Sequence, residues 1–169
     1  MKYSRSILAF MLSVCVAAPC FGQPKQLNVS KKDKSAIVDS ILNQFFLDYP
    51  DEIDSGEVVL SSLNIDPTYV PKSAHVKLLL MSPNDIASKV RRSGFLDYLV
   101  FSKLEMKGSK VFATLENISV RKVESGIEPF FGHGFFWEGK KKSGKWVFEC
   151  VNTTAFTSIN GISGNYQIR

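Results

Sequence analysis

The feature that most constrains this chain is a change of hydrophobic period at Gly94. Before Gly94, apolar residues recur at helical spacing in two stretches. After it the helical period disappears, and four segments rich in β-branched and aromatic residues follow, divided by glycine, serine and lysine. The sequence therefore predicts an α+β fold in which a long N-terminal helix and a short second helix pack on a curved, mainly antiparallel sheet.

Both helices carry boundary signals. The first has Asp33 or Ser35 as its N-cap and Pro50 just beyond its end, and the second has Ser82 as N-cap and Gly94 at its close. The first helix has a broad apolar stripe, which predicts that it lies across the sheet. The stripe consists of Ile37, Val38, Ile41, Leu42, Phe45 and Phe46.

The first predicted hairpin has a register that follows from its turn. Its strands and turn are 98–106, Gly108-Ser109 and 110–122. If Lys107 opposes Lys110, the pairs that follow are Met106 with Val111, Leu104 with Ala113, Ser102 with Leu115 and Leu99 with Ile118. The apolar face of this register changes sides midway, which predicts strong twist or a β-bulge near Ser102 and Glu116.

The second predicted hairpin joins 132–140 to 145–156 through a loop of four residues, 141–144. A two-residue loop would place Glu138 directly opposite Glu149, and like charges in that position are unfavourable. The longer loop pairs Trp137 with Phe148, Phe135 with Cys150 and His133 with Asn152.

Three weaker predictions complete the fold. The segment 123–131 is expected to be a loop between the hairpins, and 158–169 to add a last strand. Two short strands, 57–63 and 75–81, are expected between the helices.

The N-terminus has the pattern of a secretory signal peptide. Lys2 and Arg5 precede an uncharged run over 7–18, whose length is below the roughly 20 residues needed to cross a bilayer. We expect cleavage after Gly22, with Ala18 as the alternative. The chain then divides into a signal peptide over 1–22, a flexible leader over 23–34 and a single α+β domain over 35–169. The mature protein is expected to be periplasmic or secreted, without a transmembrane span.

Charge and cysteine content narrow the function classes. Loss of Lys2 and Arg5 lowers the formal net charge from +5 to +3, and a nucleic-acid-binding face needs a stronger basic patch, so no nucleic acid partner is expected. The lysines within 140–145 are interpreted as a solvated turn, with recognition of an acidic partner left open. Cleavage also leaves Cys150 as the only thiol, which we expect to be buried and inert.

The C-terminal half resembles a known architecture. The run YLVFSKLEMKGSKVFATLEN, the aromatic strand GHGFFWEGKKKSGKWVFE and the turn at 142–146 are similar to the sheet half of exported NTF2-like or cystatin-like α+β cone domains. The resemblance implies a sheet curved around a helix and, in some members, a cavity with a carboxylate base and a tyrosine hydroxyl.

The aromatic residues supply the candidate site. Phe135, Trp137, Trp146 and Phe148 are expected to form core beneath the first helix. Part of the cluster is predicted to stay open as a cleft for an apolar ligand or a partner's side chain. The candidate binding residues are Phe130, Phe131, His133, Phe135 and Trp137. No metal or cofactor is predicted, because neither His133 nor His75 has further ligands at metal-binding spacing.

These observations favour a non-catalytic protein. The leading hypothesis is an exported binding or interaction protein, such as an envelope accessory factor, an inhibitor or an immunity protein. Its partner would be an envelope protein or a small apolar ligand. The alternative is a small cavity enzyme of the isomerase or hydratase type, which would use Tyr98 with Asp97 or Glu116. Asp97 and Tyr98 are adjacent in a strand and point to opposite faces, so they cannot enter one cavity.

Overall fold

The computed structural model describes residues 29–50, 56–70, 76–159 and 162–168. The predicted signal peptide, and the leader as far as residue 28, lie outside these residues. In chain order the elements are α1 (Lys31–Asp48), β1 (Glu57–Ser61), a 3₁₀ turn (Pro67–Tyr69), β2 (Lys77–Met81), α2 (Pro83–Ser93), β3 (Phe95–Lys107), β4 (Lys110–Val123), β5 (Gly126–Lys142), β6 (Lys145–Ile159) and β7 (Ile162–Ile168).

The strands form one seven-stranded sheet in the order β2-β1-β3-β4-β5-β6-β7. β1 is parallel to β2 and β3, and every later pair is antiparallel. Side chains alternate along β1, so that Leu60 packs with α1 and Val59 packs with α2. The two helices therefore cover opposite faces of a mixed, mostly antiparallel sheet, and the predicted α+β class is confirmed.

Helix α1 begins earlier than its apolar stripe indicated. Ser30 is the N-cap and its hydroxyl accepts a hydrogen bond from the Asp33 backbone N–H, at 3.1 Å. The predicted caps Asp33 and Ser35 are therefore wrong, and so is a leader that reaches residue 34. The reason is that the first turn, with Lys31 and Lys32, is polar and shows no hydrophobic period. Five of the six residues of the predicted stripe are fully buried: Ile37, Val38, Ile41, Leu42 and Phe45.

Helix α2 has the boundaries that its sequence indicated. Ser82 and Asp85 form a reciprocal capping box, and Gly94 ends the helix in the left-handed region at φ +84°. Ile86 and Val90 are buried against the sheet. These signals are local in sequence, which is why they could be recognised without a structure.

The β3–β4 hairpin confirms the predicted register near its turn, where Lys107 opposes Lys110 and Leu104 opposes Ala113. The predicted bulge is also present, between Phe101 and Lys103. Beyond it the predicted pairs are wrong by one residue. The observed pairs are Phe101 with Leu115 and Tyr98 with Ile118. The bulge takes Ser102 out of the ladder, so Leu99, Phe101 and Leu104 all face the core under α1.

The β5–β6 hairpin differs from the prediction at its turn. Lys142 opposes Lys145, and Ser143 and Gly144 form a two-residue turn with φ of +48° and +80°. Two positive φ angles are characteristic of the hairpin turn that matches strand twist. Glu138 and Glu149 do lie opposite each other, but Lys110 of the neighbouring strand pairs with Glu138 and offsets the repulsion.

A bulge between Phe136 and Trp137 shifts the rest of this hairpin. The observed pairs are Trp137 with Cys150, Phe135 with Thr153 and His133 with Ala155, so the predicted pairs are wrong. The expected loop over 123–131 is also wrong, because β4 and β5 meet in a tight turn and pair from Val123 and Gly126 onward. The last strand is confirmed as β7, and the two early strands as β1 and β2.

Candidate functional site

An open cleft of about 490 Å³ lies between the outer side of α1 and the turn of the β5–β6 hairpin. We call it the α1 cleft. From α1 it is lined by Lys32, Asp33, Ala36, Asp39, Ser40, Asn43, Gln44 and Leu47, and from the hairpin by Lys141, Gly144, Lys145 and Trp146.

The Asp33 carboxylate connects the first turn of α1 to the β5–β6 hairpin through hydrogen bonds. Its Oδ1 accepts hydrogen bonds from Lys141 Nζ at 2.7 Å and from Trp146 Nε1 at 3.0 Å. Its Oδ2 accepts from the Ser30 hydroxyl at 3.0 Å. Two turns further along the helix, the Ser40 hydroxyl donates to the Trp146 carbonyl at 3.2 Å. Specific polar contacts therefore join the two walls of the cleft at Asp33 and at Ser40.

The same contacts determine the ionisation of Asp33. Hydrogen bonds from Lys141, Trp146 and Ser30, in that order, lower the pKa of its carboxyl from 3.8 to about 2. Asp33 is therefore ionised wherever the protein is folded above about pH 4. Two further contacts position Trp146. Its ring stacks on that of Phe148 with centroids 6.3 Å apart, and Lys141 Nζ lies 5.7 Å from the centroid of the Trp146 ring.

The side chains that line the cleft change from charged to apolar along α1. Lys32, Lys141 and Lys145 lie toward the N-terminal half of the helix, and Leu47 lies near its C-terminal end. The Leu47 side chain is 73% exposed, the highest value among the large hydrophobic residues that the structure exposes. Leu47 therefore places exposed apolar surface at one end of a cleft whose other end is lined by charged side chains.

The residues predicted as a site from sequence lie in three places. Trp137 and Phe135 are 1% and 3% exposed and belong to the core beneath α1. Phe131 and His133 precede Phe135 in β5 and are half-buried, with ring centroids 4.7 Å apart. Phe130 lies elsewhere, between the Phe95 ring and the Arg121 guanidinium. The expectation of an aromatic core is confirmed for Phe135, Trp137, Trp146 and Phe148.

The potentially reactive side chains, those of Cys150, Tyr98 and His133, lie apart from one another. Cys150 is half-buried and its thiol donates to the Asn152 carbonyl at 3.4 Å. Tyr98 packs among apolar side chains near α2, on the opposite face from His133. Burial, and secondarily the Glu116 carboxylate, raise the pKa of Tyr98. Within the described ranges no group of three or more His, Cys, Asp or Glu side chains could hold a metal ion.

The bulge at Ser102 determines the placement of Tyr98 and Glu116. Tyr98 opposes Ile118 and Val100 opposes Glu116, so both polar side chains lie on the α2 face of the sheet. Asp97 lies on the other face, where its carboxylate accepts a hydrogen bond from Ser119 at 2.5 Å. The expected separation of Asp97 from Tyr98 is thus confirmed.

Comparison with protein-family models, with curated proteins and with solved structures finds no match. The resemblance to NTF2-like or cystatin-like domains stays a prediction. Among the residues that the structure describes, no helix is both long and apolar enough to cross a membrane.

Sequence reasoning singled out the lysine turn but missed its counterpart on α1. A signal was available: Lys32, Ala36, Asn43 and Leu47 recur at helical spacing on the side opposite the apolar stripe. Leu47 is the one large apolar residue among these four. What the sequence could not supply was the contact between this side of α1 and a turn about a hundred residues later.

Proposed function

We propose that this protein is an exported, non-catalytic binding protein that recognises a partner protein through the α1 cleft. The observation that carries the proposal is the form of the cleft: an open groove with ordered walls, an exposed leucine at one end and, at the other, lysines that form no ion pair with another described residue. Phe135, Trp137, Trp146 and Phe148 fill the core instead of lining a reaction cavity.

The preorganised walls make the cleft suited to binding. Asp33 and Ser40 hold the hairpin turn against α1, so a partner would not have to order that turn. Ordering a flexible side chain on binding costs about 0.5–1.5 kcal/mol, and contacts already made in the free protein avoid that cost. Leu47 offers apolar surface that a partner can bury, and burial of a leucine contributes roughly 1.5–3 kcal/mol.

The test is affinity capture with cleft variants. The wild-type protein and Leu47→Asp are used as baits in extracts of the source cells, and captured proteins are identified, purified and titrated directly. We expect Leu47→Asp to weaken the purified partner's binding by roughly tenfold or more, since 1.4 kcal/mol corresponds to a factor of ten in Kd.

Leu63→Asp is the matched control. Leu63 is also exposed, at 56%, but does not line the cleft, so this variant should bind as the wild type does. Equal binding by wild type and Leu47→Asp would contradict the proposal. So would recovery of no partner together with turnover of a small molecule by the purified protein.

The alternative, a cavity enzyme of the isomerase or hydratase type, is favoured by one observation. Tyr98 and Glu116 lie on the same face of the sheet, where burial and, secondarily, the Glu116 carboxylate raise the pKa of Tyr98. A panel of small carbonyl and hydroxyl compounds tests this candidate. If it is correct, the protein turns over a compound of the panel, and both Tyr98→Phe and Glu116→Gln abolish that turnover.

A further inference from the structure

The end of the molecule that carries the hairpin turns contains an unusual concentration of lysines. Three pairs of lysines lie directly opposite each other in the strand register. The pairs are Lys107 with Lys110, Lys110 with Lys140, and Lys142 with Lys145. Directly opposed like charges lower the stability of a sheet, so each of these pairs is unfavourable unless an acidic residue neutralises it. Such local conflicts occur most often at functional sites.

Acidic residues neutralise only some of these lysines. Lys141 pairs with Asp33, Lys110 with Glu138, and Lys107 with Glu105. Lys32, Lys140, Lys142 and Lys145 form no ion pair with another described residue. Two of these, Lys32 and Lys145, line the α1 cleft together with Asp39. With Lys141 paired to Asp33, the lining therefore keeps one more positive than negative charge among the described residues.

The dimensions of the cleft fit an extended chain. Lys32 and Leu47 are fifteen positions apart on α1, which corresponds to about 22 Å at 1.5 Å per residue. An extended peptide spans this distance with about seven residues at roughly 3.3 Å each. Between the two ends Asp39 lines the cleft, and its carboxylate can accept hydrogen bonds from peptide N–H groups.

We propose that the α1 cleft binds an extended acidic peptide segment of the partner protein, with the peptide's carboxylates at Lys32 and Lys145 and an apolar side chain against Leu47. This inference rests on the proposed function and specifies the chemistry of the partner.

The geometry favours a peptide over a nucleic acid, because the one aromatic side chain in the lining, Trp146, is buried and its face is not available for base stacking. A planar membrane surface could contact the exposed Lys140, Lys142 and Leu47, and the vesicle experiment below separates it from a peptide.

Synthetic peptides test the inference. Fluorescein-labelled EEEGSGL and its reverse, LGSGEEE, are titrated with the full-length mature protein in fluorescence polarisation experiments, with KKKGSGL and EEEGSGS as comparison peptides. We expect one of the two acidic peptides to bind more tightly than both comparison peptides. Raising the salt from about 50 mM to about 300 mM should weaken its binding, because exposed charges are screened.

The protein variants localise the site. Lys145→Glu should weaken binding by about threefold or more, in line with the size of a single surface ion pair and its reversal. Arg92→Glu makes the same change in net charge on α2, across the sheet, and should leave the affinity within about twofold of the wild type.

Three results would overturn the inference. They are binding of KKKGSGL as tight as that of the better of the two acidic peptides, equal effects of Lys145→Glu and Arg92→Glu, and binding of the protein to phosphatidylglycerol vesicles without binding of either acidic peptide. If Leu47→Asp loses the captured partner while Lys145→Glu retains it, the acidic-peptide inference fails and the proposed function stands. If Leu47→Asp retains the partner, the proposed function itself fails.

Discussion

Replacement of Gly139 by alanine tests the packing that holds the β5–β6 hairpin against α1. Gly139 lies opposite Phe148, whose ring covers the glycine. A Cβ at position 139 would lie 2.2 Å from Phe148 Cε1 and 2.4 Å from Cδ1, far inside ordinary van der Waals contact. The ring would have to move by about 1 Å or more, but it is buried and stacked on Trp146.

The expected magnitude follows from two opposing effects. Overpacking of a well-packed core costs typically about 1–3 kcal/mol. The loss of a flexible glycine from the unfolded chain returns about 0.4–1 kcal/mol. We therefore expect Gly139→Ala to lower the free energy of unfolding by about 1–2 kcal/mol, or roughly 3–8 °C in Tm for a chain of this size.

The assay is equilibrium unfolding in urea, followed by the fluorescence of Trp137 and Trp146, both of which lie in the core. Gly56→Ala is the control, because nothing lies within 4 Å of a Cβ there, and it should change stability by less than about 1 kcal/mol. In the Phe148→Ala background the Gly139→Ala penalty should disappear. A Gly139→Ala protein as stable as the wild type, or more stable, would refute this account of the packing.

Three further outcomes are expected. Ser82→Ala removes the capping box with Asp85 and should lower the free energy of unfolding by about 0.5–2 kcal/mol in the same urea assay, whereas an unchanged midpoint would contradict the cap. Because the pKa of Asp33 is lowered from 3.8 to about 2 by folding, its contribution is present above about pH 4 and is lost as the pH falls from 3.8 toward 2. Asp33→Asn should therefore be less stable than the wild type at pH 7, with the difference shrinking at pH 2–3 in thermal melts; a constant difference would contradict the contact with Lys141. Cys150 should react with Ellman's reagent at least about tenfold more slowly in the native protein than in urea, and equal rates would show that it is open to solvent.

The parts of the fold that could be predicted from sequence are those specified by near neighbours. The capping box and left-handed glycine of α2 lie within thirteen positions of one another, and the register of β3 and β4 is fixed at their turn. The bulge near Ser102 could be predicted because the apolar pattern changes sides there. Its effect on the more distant pairs could not, since the pattern does not say which single residue leaves the ladder.

The errors have a common cause in contacts between distant residues. The longer β5–β6 loop was preferred because Glu138 and Glu149 would repel, and the neutralising Lys110 comes from a third strand. The α1 cleft was missed for the same reason, because Asp33 and Lys141 are separated by 108 positions. In each case a side chain that is distant in sequence makes a stabilising contact that the neighbouring residues do not indicate.

Hydrogen–deuterium exchange of the protein, with and without its captured and purified partner, tests the central claim most directly. Binding through the α1 cleft should slow exchange in peptides covering α1 and the turn between β5 and β6, with little change elsewhere. Protection centred instead on Tyr98 and Glu116, with α1 unchanged, would place recognition on the opposite face of the sheet and contradict the account.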